Sequence, residues 1–520
     1  MKIGLSSEMR EIDRKAEAEY GLPAYLLMEN AGRRAAEAAI RLMGGAEGKK
    51  VCLLAGSGNN GGDAFAAARH LQSAGARPRA FFIGNEEHMS EAAKLNRNIC
   101  DKMGVEIYQL SDERQWDKLH VVLRFSDCVV DGVLGTGFSG SLRDDTAKLM
   151  SIVNDSGCRV LSIDIPTGVA ADTGAADENA LKADMTITLG MPKPGQMLMP
   201  GAGLCGEVLL DGIGLPSQLL ESEQIMQEVI DEDLVRSLLI PRPIDAYKGM
   251  CGSILVVAGS RGMTGAAALS SEAALRAGVG ISTLAIPESL NDIMEQKLTE
   301  VMTVPVPECD KGAIGLSALP EILDKAKKQD AVLIGPGLGR AEETMELVRR
   351  FVVETDAQVV IDADAIFAFR KDPDMLAKCH KVPVLTPHPG ELAGLLDMSV
   401  ADLRADLLEI LRMAAKQYNA IFVAKSECTI VVYPDGRAYF YNGGNPGMAT
   451  AGAGDVLAGT IAGLWKGTRS DMAPVAGVYI HGSAGNLAAE HAGVGLMAGD
   501  ILRNIPVART LLEDNSTQNQ

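Results

Sequence analysis

Asp455 closes a glycine-rich run that begins at Gly443, Gly-Gly-Asn-Pro-Gly-Met-Ala-Thr-Ala-Gly-Ala-Gly-Asp, and an apolar, helix-prone segment, Val456 to Trp465, follows at once. Five glycines in these thirteen residues spoil a helix or strand interior. They do let backbone N–H groups converge on a phosphate at the start of the next helix. In that helix's first turn Asp455 is expected to keep its charge, because the positive end of the helix dipole favours a carboxylate by about 0.3–1 kcal/mol. An ionised carboxylate beside an anion hole suits removing a proton from a hydroxyl that attacks a phosphoryl group. A plain glycine loop with Asp455 as its cap is the alternative.

The first half carries a second set of such residues. Gly56-Ser-Gly-Asn-Asn-Gly-Gly-Asp63 sits between a strand-like Lys50 to Ala55 and a helical Ala64 to Ala74. Strand, glycine turn and helix in that order make the first unit of a nucleotide-binding sheet, although the spacing is not GxGxxG. Asn59 and Asn60 add side-chain donors and acceptors, and Asp63 is either a ligand or a helix cap. A strand over Asp127 to Val130 runs into Asp131 and the turn Gly135-Thr-Gly-Phe-Ser-Gly-Ser141. Another, Arg159 to Ile163, runs into Asp164-Ile-Pro-Thr-Gly168. Lys193, between Pro192 and Pro194, is either aimed at an anionic ligand or solvated.

These loops require parallel strands that deliver their C-terminal ends to one edge, where open α/β sheets bind ligands. Ser6 or Ser7 can cap a first helix containing Met9, Ile12 and Ala16, and a second helix spans Pro23 to Met43. Further strands are expected at Arg79 to Ile83, Asp184 to Leu189 and Val208 to Ile213, with a helix at Ser90 to Met103. The acidic, helical-looking Glu221 to Asp233 and the proline-broken Ile240 to Asp245 mark a boundary. Beyond it, the strands Ser253 to Ala258, Ala331 to Ile334, Gln358 to Ile361, Val382 to Leu385 and Ile421 to Ala424 each end in a polar or glycine-rich loop. Among those loops are Gly335-Pro-Gly-Leu-Gly339, Asp362-Ala-Asp364 and Thr386-Pro-His388-Pro-Gly-Glu391. His388, held between prolines, is expected to present its ring. A buried helix is expected over Ala266 to Ala277 and another over Met472 to Ala489.

A length of 520 residues favours two α/β domains. The formal charge of -19 disfavours a nucleic-acid backbone or an anionic membrane as partner and favours small diffusible ligands. Nine scattered cysteines without a CxxC pair suit buried thiols in a cytoplasmic protein. No signal peptide or membrane span is expected.

The run Gly56 to Asp63, the Asp164 to Gly168 turn and the Pro192 to Gly195 loop resemble the YjeF N-terminal family, the NAD(P)HX epimerases. The resemblance implies an epimerase domain over 1–220. It implies that hydrated nicotinamide nucleotide is held by Asn59, Asn60, Gly61, Gly62 and Asp63, by Gly135, Thr136, Gly137, Phe138, Ser139, Gly140 and Ser141, and by Asp164. It further implies a potassium ion bound by Asn60, Asp131 and Thr167. Asp164 is expected to stabilise a cationic species formed when hydroxide leaves C6 of the ring, with Lys193 assisting. The chain departs from the family pattern at Ala64, where glycine is usual, and at Thr167, where serine is usual.

Gly259 to Ala267, Gly335 to Gly339, Thr386 to Glu391 and Asn445 to Asp455 resemble the ADP-dependent NAD(P)H-hydrate dehydratases, the YjeF C-terminal domain. The fold implied over 225–510 is a ribokinase-like α/β domain, behind an N-terminal Rossmann-like three-layer domain. Hydrate would be bound by Ala266, Gly337, His388 and Asp455. ADP would be bound by Lys425, Ser426, Glu427, Cys428 and Thr429, and by Asn445, Pro446, Gly447, Met448, Ala449, Thr450, Ala451, Gly452, Ala453 and Gly454. Ala451 replaces a usual glycine, and a positive φ there would cost about 1 kcal/mol or more.

The function implied is repair of NADHX and NADPHX. The front half would epimerise the R and S hydrates, and the back half would dehydrate the S hydrate with ADP and Mg²⁺, releasing AMP and phosphate through Asp455 as base. A homo-oligomer is expected. The alternatives are a small-alcohol or vitamin kinase, and a front half that only binds nucleotide.

Overall fold

The structure, a computed structural model, describes residues 1–469 and 471–514. The chain forms two compact units, Met1–Gln227 and Glu228–Gln520.

In the first unit seven strands make one parallel sheet: β1 (Lys50–Ala55), β2 (Arg77–Phe82), β3 (Glu106–Gln109), β4 (Cys128–Gly132), β5 (Val160–Ile163), β6 (Met185–Leu189) and β7 (Glu207–Asp211). Their order is β3-β2-β1-β4-β5-β6-β7, so the chain reverses direction across the sheet between β1 and β4. Helices α1 (Ser6–Tyr20), α2 (Ala24–Met43), α3 (Asn59–Ser73) and α4 (Glu91–Lys102) contribute to the core on one face. Helices α5 (Glu113–Arg124) and α6 (Asp144–Asp155) contribute to the core on the other. The result is the Rossmann-like three-layer arrangement expected from the alternating strands and helices.

Several local expectations change. Helix α1 begins at Ser6 without a serine cap; instead the Glu8 carboxylate accepts the Leu5 N–H at 2.8 Å. Helix α3 begins at Asn59 rather than Ala64, so Gly61, Gly62 and Asp63 are helical and Asp63 caps nothing. The two glycines serve close approach. A Cβ on Gly61 would lie 1.9 Å from the Gly56 carbonyl oxygen, and one on Gly62 would lie 2.6 Å from the Met28 sulfur. Ala64 fits as an ordinary buried helical residue. Asp131 lies within β4, not in the loop after it. The acidic boundary segment, Glu221 to Asp233, is not one helix: it holds the strand Gln227–Val229 and runs into the helix Glu232–Leu238.

The second unit is built on a ten-stranded sheet: β8 (Gln227–Val229), β9 (Ser253–Val257), β10 (Ile281–Pro287), β11 (Met302–Val306), β12 (Ala331–Ile334), β13 (Gln358–Ile361), β14 (Val384–Leu385), β15 (Ile421–Ala424), β16 (Thr429–Val432) and β17 (Ala438–Tyr441). Its order is β11-β10-β9-β12-β13-β14-β15-β16-β17-β8. Strands β11 through β15 run parallel, and β16 pairs antiparallel with both β15 and β17. The parallel α/β sheet is the architecture expected for this half; the antiparallel extension adds to that expectation.

Helices α7 (Thr264–Ala277), α9 (Ala453–Leu464), α10 (Ala473–Ala492) and α11 (Ala498–Asp514) bury one sheet face; the shorter α8 (Pro389–Leu395) follows β14. Helix α9 lies unusually close to α7. A Cβ on Gly459 would sit 2.2 Å from the Ser270 carbonyl oxygen, and one on Gly463 would sit 2.4 Å from that of Ala274. Two glycines four residues apart therefore let one helix backbone rest on the other. Among the described residues no helix is long and apolar enough to cross a membrane. All nine cysteines are free.

Candidate active sites

In the first unit a cleft of about 1200 Å³ opens at the C-terminal ends of the parallel strands. Its walls include Asn59, Asn60 and Asp63 after β1, Gly135 to Ser139 and Ser141 after β4, Asp164 after β5, and Lys193. These are most of the residues expected to hold the nucleotide. Gly61, Gly62 and Gly140 do not line it; the first two lie inside α3.

Asp164 has φ +65, the left-handed region where an L side chain is disfavoured by roughly 1–2 kcal/mol. Its backbone is fixed there by N–H donation to the Ile187 carbonyl at 2.7 Å and by the Gln196 amide, which donates to the Asp164 carbonyl at 2.6 Å. Lys193 is buried, not solvated. Its ammonium makes a short ion pair with the Asp164 carboxylate and also donates to Thr188 Oγ1 at 3.1 Å and the Leu189 carbonyl at 2.8 Å. A buried ammonium needs such a set of partners, and all three of its donors are used. Asp63 is buried nearby, and burial first, then the charges of Asp164 and Asp13, push its pKa well above the usual carboxylate value.

Asp131, Thr167 and Asn60 cluster beneath this cleft without lining its wall as a set. Thr167 Oγ1 donates to Asp131 Oδ1 at 2.7 Å and accepts the Leu134 N–H at 3.0 Å. Asp131 also accepts from Thr167 N–H at 2.9 Å, Ser162 Oγ at 3.0 Å and Val133 N–H at 3.2 Å. The Asn60 amide donates to the Leu134 and Ile163 carbonyls at 2.9 and 3.1 Å. Asp131 is fully buried and makes no ion pair among the described residues; burial raises its pKa although its hydrogen bonds pull the other way. Surrounding oxygen atoms and an unpaired buried carboxylate are the donor set and the charge that a hard monovalent cation fits.

In the second unit the loops after β9, β12, β13, β14 and β15 meet. The Gly259 N–H donates to the Pro336 carbonyl at 2.9 Å, and Ser260 Oγ to the Gly337 carbonyl at 2.8 Å. A Cβ on Gly337 would lie 3.1 Å from that of Ala266, so these two expected hydrate ligands are neighbours. Lys425 Nζ donates to Asp362 Oδ1 at 2.9 Å, and Thr386 Oγ1 donates to the same atom at 2.6 Å. Burial would lower the Lys425 pKa, but Asp362, Glu391 and Asp455 outweigh it and leave it raised. Lys425 also reaches the start of α9, 3.1 Å from where a Gly454 Cβ would stand.

Gly452 is the N-cap of α9, at φ +91, and Asp455 lies in the first turn. Ala451 has no positive φ, so its departure from glycine carries no backbone strain. The expectation that Asp455 stays readily ionised is corrected. Loss of solvent first, then the charges of Asp362, Asp364 and Glu391 against the opposing Lys425, push its pKa from 3.8 to about 7. That amounts to about 4 kcal/mol, which overrides a dipole contribution of about 0.3–1 kcal/mol. A base whose pKa lies near neutrality is better matched to proton removal than one near 4.

His388 presents its ring, as expected, but Nδ1 has a structural task. It caps α8 by accepting the Gly390 and Glu391 N–H groups at 3.0 and 3.3 Å, and Glu391 accepts the His388 N–H at 2.9 Å. With Nδ1 accepting, Nε2 is left as the donor, and it stands 3.5 Å from Glu391 Oε1. In the expected ADP loops, Asn445 Oδ1 accepts the Gly447 N–H at 3.0 Å and its amide donates to Asn486 at 2.8 Å. Cys428 points into the core with its thiol raised to about 12 by burial, so only its backbone can face a ligand.

Asp362 and Thr386 received no role from the sequence, although both stand in quoted loops. The signal was there in kind, a polar residue directly after an apolar strand, but the lysine that pairs with Asp362 is supplied from the end of β15. Among the described residues no group of three or more His, Cys, Asp or Glu is arranged to hold a metal ion.

A family model described as NAD(P)H-hydrate dehydratase matches residues 254–507, and one described as YjeF-related protein N-terminus matches 24–195. The chain is 38% identical over 99% of its length, and 98% of the relative's, to a bifunctional NAD(P)H-hydrate repair enzyme of Moorella thermoacetica. It is 38% identical, over 99% of its length and 97% of the relative's, to one of Thermofilum pendens. Among solved structures, an ADP/ATP-dependent NAD(P)H-hydrate dehydratase from Bacillus subtilis aligns with 55% of the chain and 98% of its own length, at 27% identity and TM-score 0.48.

Proposed function

The chain belongs to the family of bifunctional NAD(P)H-hydrate repair enzymes, and on that premise we propose that its first unit interconverts the R and S hydrates while its second dehydrates the S hydrate at the expense of ADP. End-to-end identity with relatives of that name is the observation that carries the reading. The two clusters of carboxylate and lysine at strand ends supply its chemistry.

In the second unit the hydrate rests against Ala266, Gly337 and His388 with its hydroxyl toward Asp455. Asp455 removes the hydroxyl proton as the oxygen attacks the terminal phosphorus of ADP. The N–H groups at the start of α9 and the Lys425 ammonium face the negative charge that moves onto the transferred group and the AMP oxygen. The ring nitrogen's lone pair then expels phosphate and restores the reduced nicotinamide. Mg²⁺ would neutralise phosphate charge when it arrives bound to the nucleotide; no three acidic side chains among the described residues are arranged to hold it by themselves, so the phosphates would supply most of its ligands. Asp362 holds Lys425 in place.

In the first unit Asp164, paired with Lys193, stands where positive charge develops on the ring as hydroxide leaves C6. Potassium, when held by Asn60, Asp131 and Thr167, offsets the Asp131 charge under the loops that carry Leu134 and Asp164. The test is to mix purified protein with both hydrate epimers, Mg²⁺ and ADP. Return of reduced-nicotinamide absorbance from both epimers is expected, and with ADP left out the epimers should still equilibrate. A stable phosphorylated product in place of reduced cofactor would make this a kinase.

A further inference from the structure

We propose that Asp13, on α1, is a proton-transferring catalytic residue of the first-unit cleft, giving a proton to the C6 hydroxyl of the hydrated ring as it departs and taking one when water returns. The proposal rests on the epimerase reading of that cleft.

Helix α1 is held by the loops that carry the site. Just before it, the Gly4 N–H donates to the Pro192 carbonyl, next to Lys193, at 2.9 Å. At its first residue Ser6 Oγ donates to the Thr136 carbonyl at 3.0 Å, and the Ser6 N–H donates to Asp172 at 2.7 Å. Asp13 lies four residues after buried Met9 and three before buried Ala16, and its exposed side chain borders the cleft. It lines the cleft together with Asp63, Asp164 and Lys193.

The three carboxyl groups are not equivalent. Asp164 is committed to Lys193, and Asp63 is enclosed, where burial raises its pKa. Asp13 makes no hydrogen bond or ion pair among the described residues and is open to the cleft. It faces Asp63, Asp164 and Lys193 across the cleft, with Arg10, Arg14 and Glu17 beside it on α1; Arg14 is engaged by Glu11. Loss of solvent first, then the Asp164 charge, with Lys193 opposing, bring Asp13 up to about 6.

The step balances without a redox partner. The C6–O bond breaks with its electron pair on oxygen, the Asp13 proton makes that oxygen water, and the positive charge left over N1 and C6 faces the Asp164 carboxyl group. Water then attacks C6, and its proton passes to the Asp13 carboxylate, directly or through a second water when attack comes from the far face.

The test follows epimer ratio against time in full-length protein without ADP, using purified R and S NADHX. Wild type that fails to outpace the spontaneous reaction would remove the epimerase reading itself. With wild type active, kcat/KM should fall about tenfold per pH unit above about pH 6. Asp13→Asn should lose about 10²-fold or more and lose that pH limb, while its ADP-dependent dehydration of the S epimer is unchanged. An Asp13→Asn protein that epimerises normally, or is slow with the limb unchanged, would overturn the proposal. Should Asp13→Asn misfold, Asp13→Glu decides: a displaced limb supports the assignment and an undisplaced one sinks it.

Discussion

Replacing Asp455 by Asn should make the second unit more stable and inactive together. The unfolded chain gives up this proton near 3.8 and the folded one near 7. Between those values the folded state binds more protons, so stability falls as pH rises, and the full cost stands above about 7. The ceiling is about 4 kcal/mol at 1.36 kcal/mol per pKa unit, and solvent reaching the half-buried group trims it to about 1–3 kcal/mol. Asn carries no charge at any pH. The Asp455→Asn advantage at about pH 8 should therefore exceed that at about pH 5 by about 1–2 kcal/mol. Urea unfolding can be read in a Trp116→Phe background, where the remaining indole, Trp465, directly follows α9 and packs on the second unit's core. Dehydration by the same protein should fall about 10²–10⁴-fold. A pH-independent difference in stability would refute the electrostatic reasoning, and full dehydration would refute the assignment of Asp455 as base.

Lys193→Met strands the Asp164 charge in a site built around an ammonium, and urea unfolding should show a loss of about 3–5 kcal/mol along with lost epimerisation. Gly459→Ala places a methyl 2.2 Å from the Ser270 carbonyl oxygen, where the opposing backbone must shift. A loss of about 1–3 kcal/mol in the second unit's unfolding is expected. Ala451→Gly should leave the KM for ADP within about twofold and lower stability by about 0.4–1 kcal/mol, since the residue already has an ordinary φ; a large gain in ADP affinity would contradict that backbone reading.

The strands β1, β12, β13 and β15 were legible to the residue because each is an apolar run cut off by glycine, charge or proline, and buried parallel strands need no alternation. The start of α3 was not legible. Gly61 and Gly62 look like turn residues by type, whereas their selection comes from Gly56 and Met28, which press on the helix from outside. Strands β10 and β11 and the β16–β17 extension went unread for want of chemistry at their ends. Lys193 allowed two readings because its partner, Asp164, lies 29 residues away and meets it only across the sheet edge. The ionisation of Asp455 was misjudged from its helix position alone. Three more carboxylates arrive from other strands, and their summed charge with the loss of solvent decides the matter.

The glycine seam between α7 and α9 bears on how errors in the second unit would show themselves. Ala266, in the first turn of α7, and Asp455, in the first turn of α9, are braced by backbones in direct contact, so the proposed floor under the hydrate and the proposed base are registered like two jaws cast in one piece. Their separation is set by carbonyl and Cα atoms, which cannot be repacked by choosing another rotamer. Drift at Gly459 or Gly463 should therefore spoil aim before grip, leaving a protein that still takes up both ligands but lets the hydroxyl oxygen miss the phosphorus.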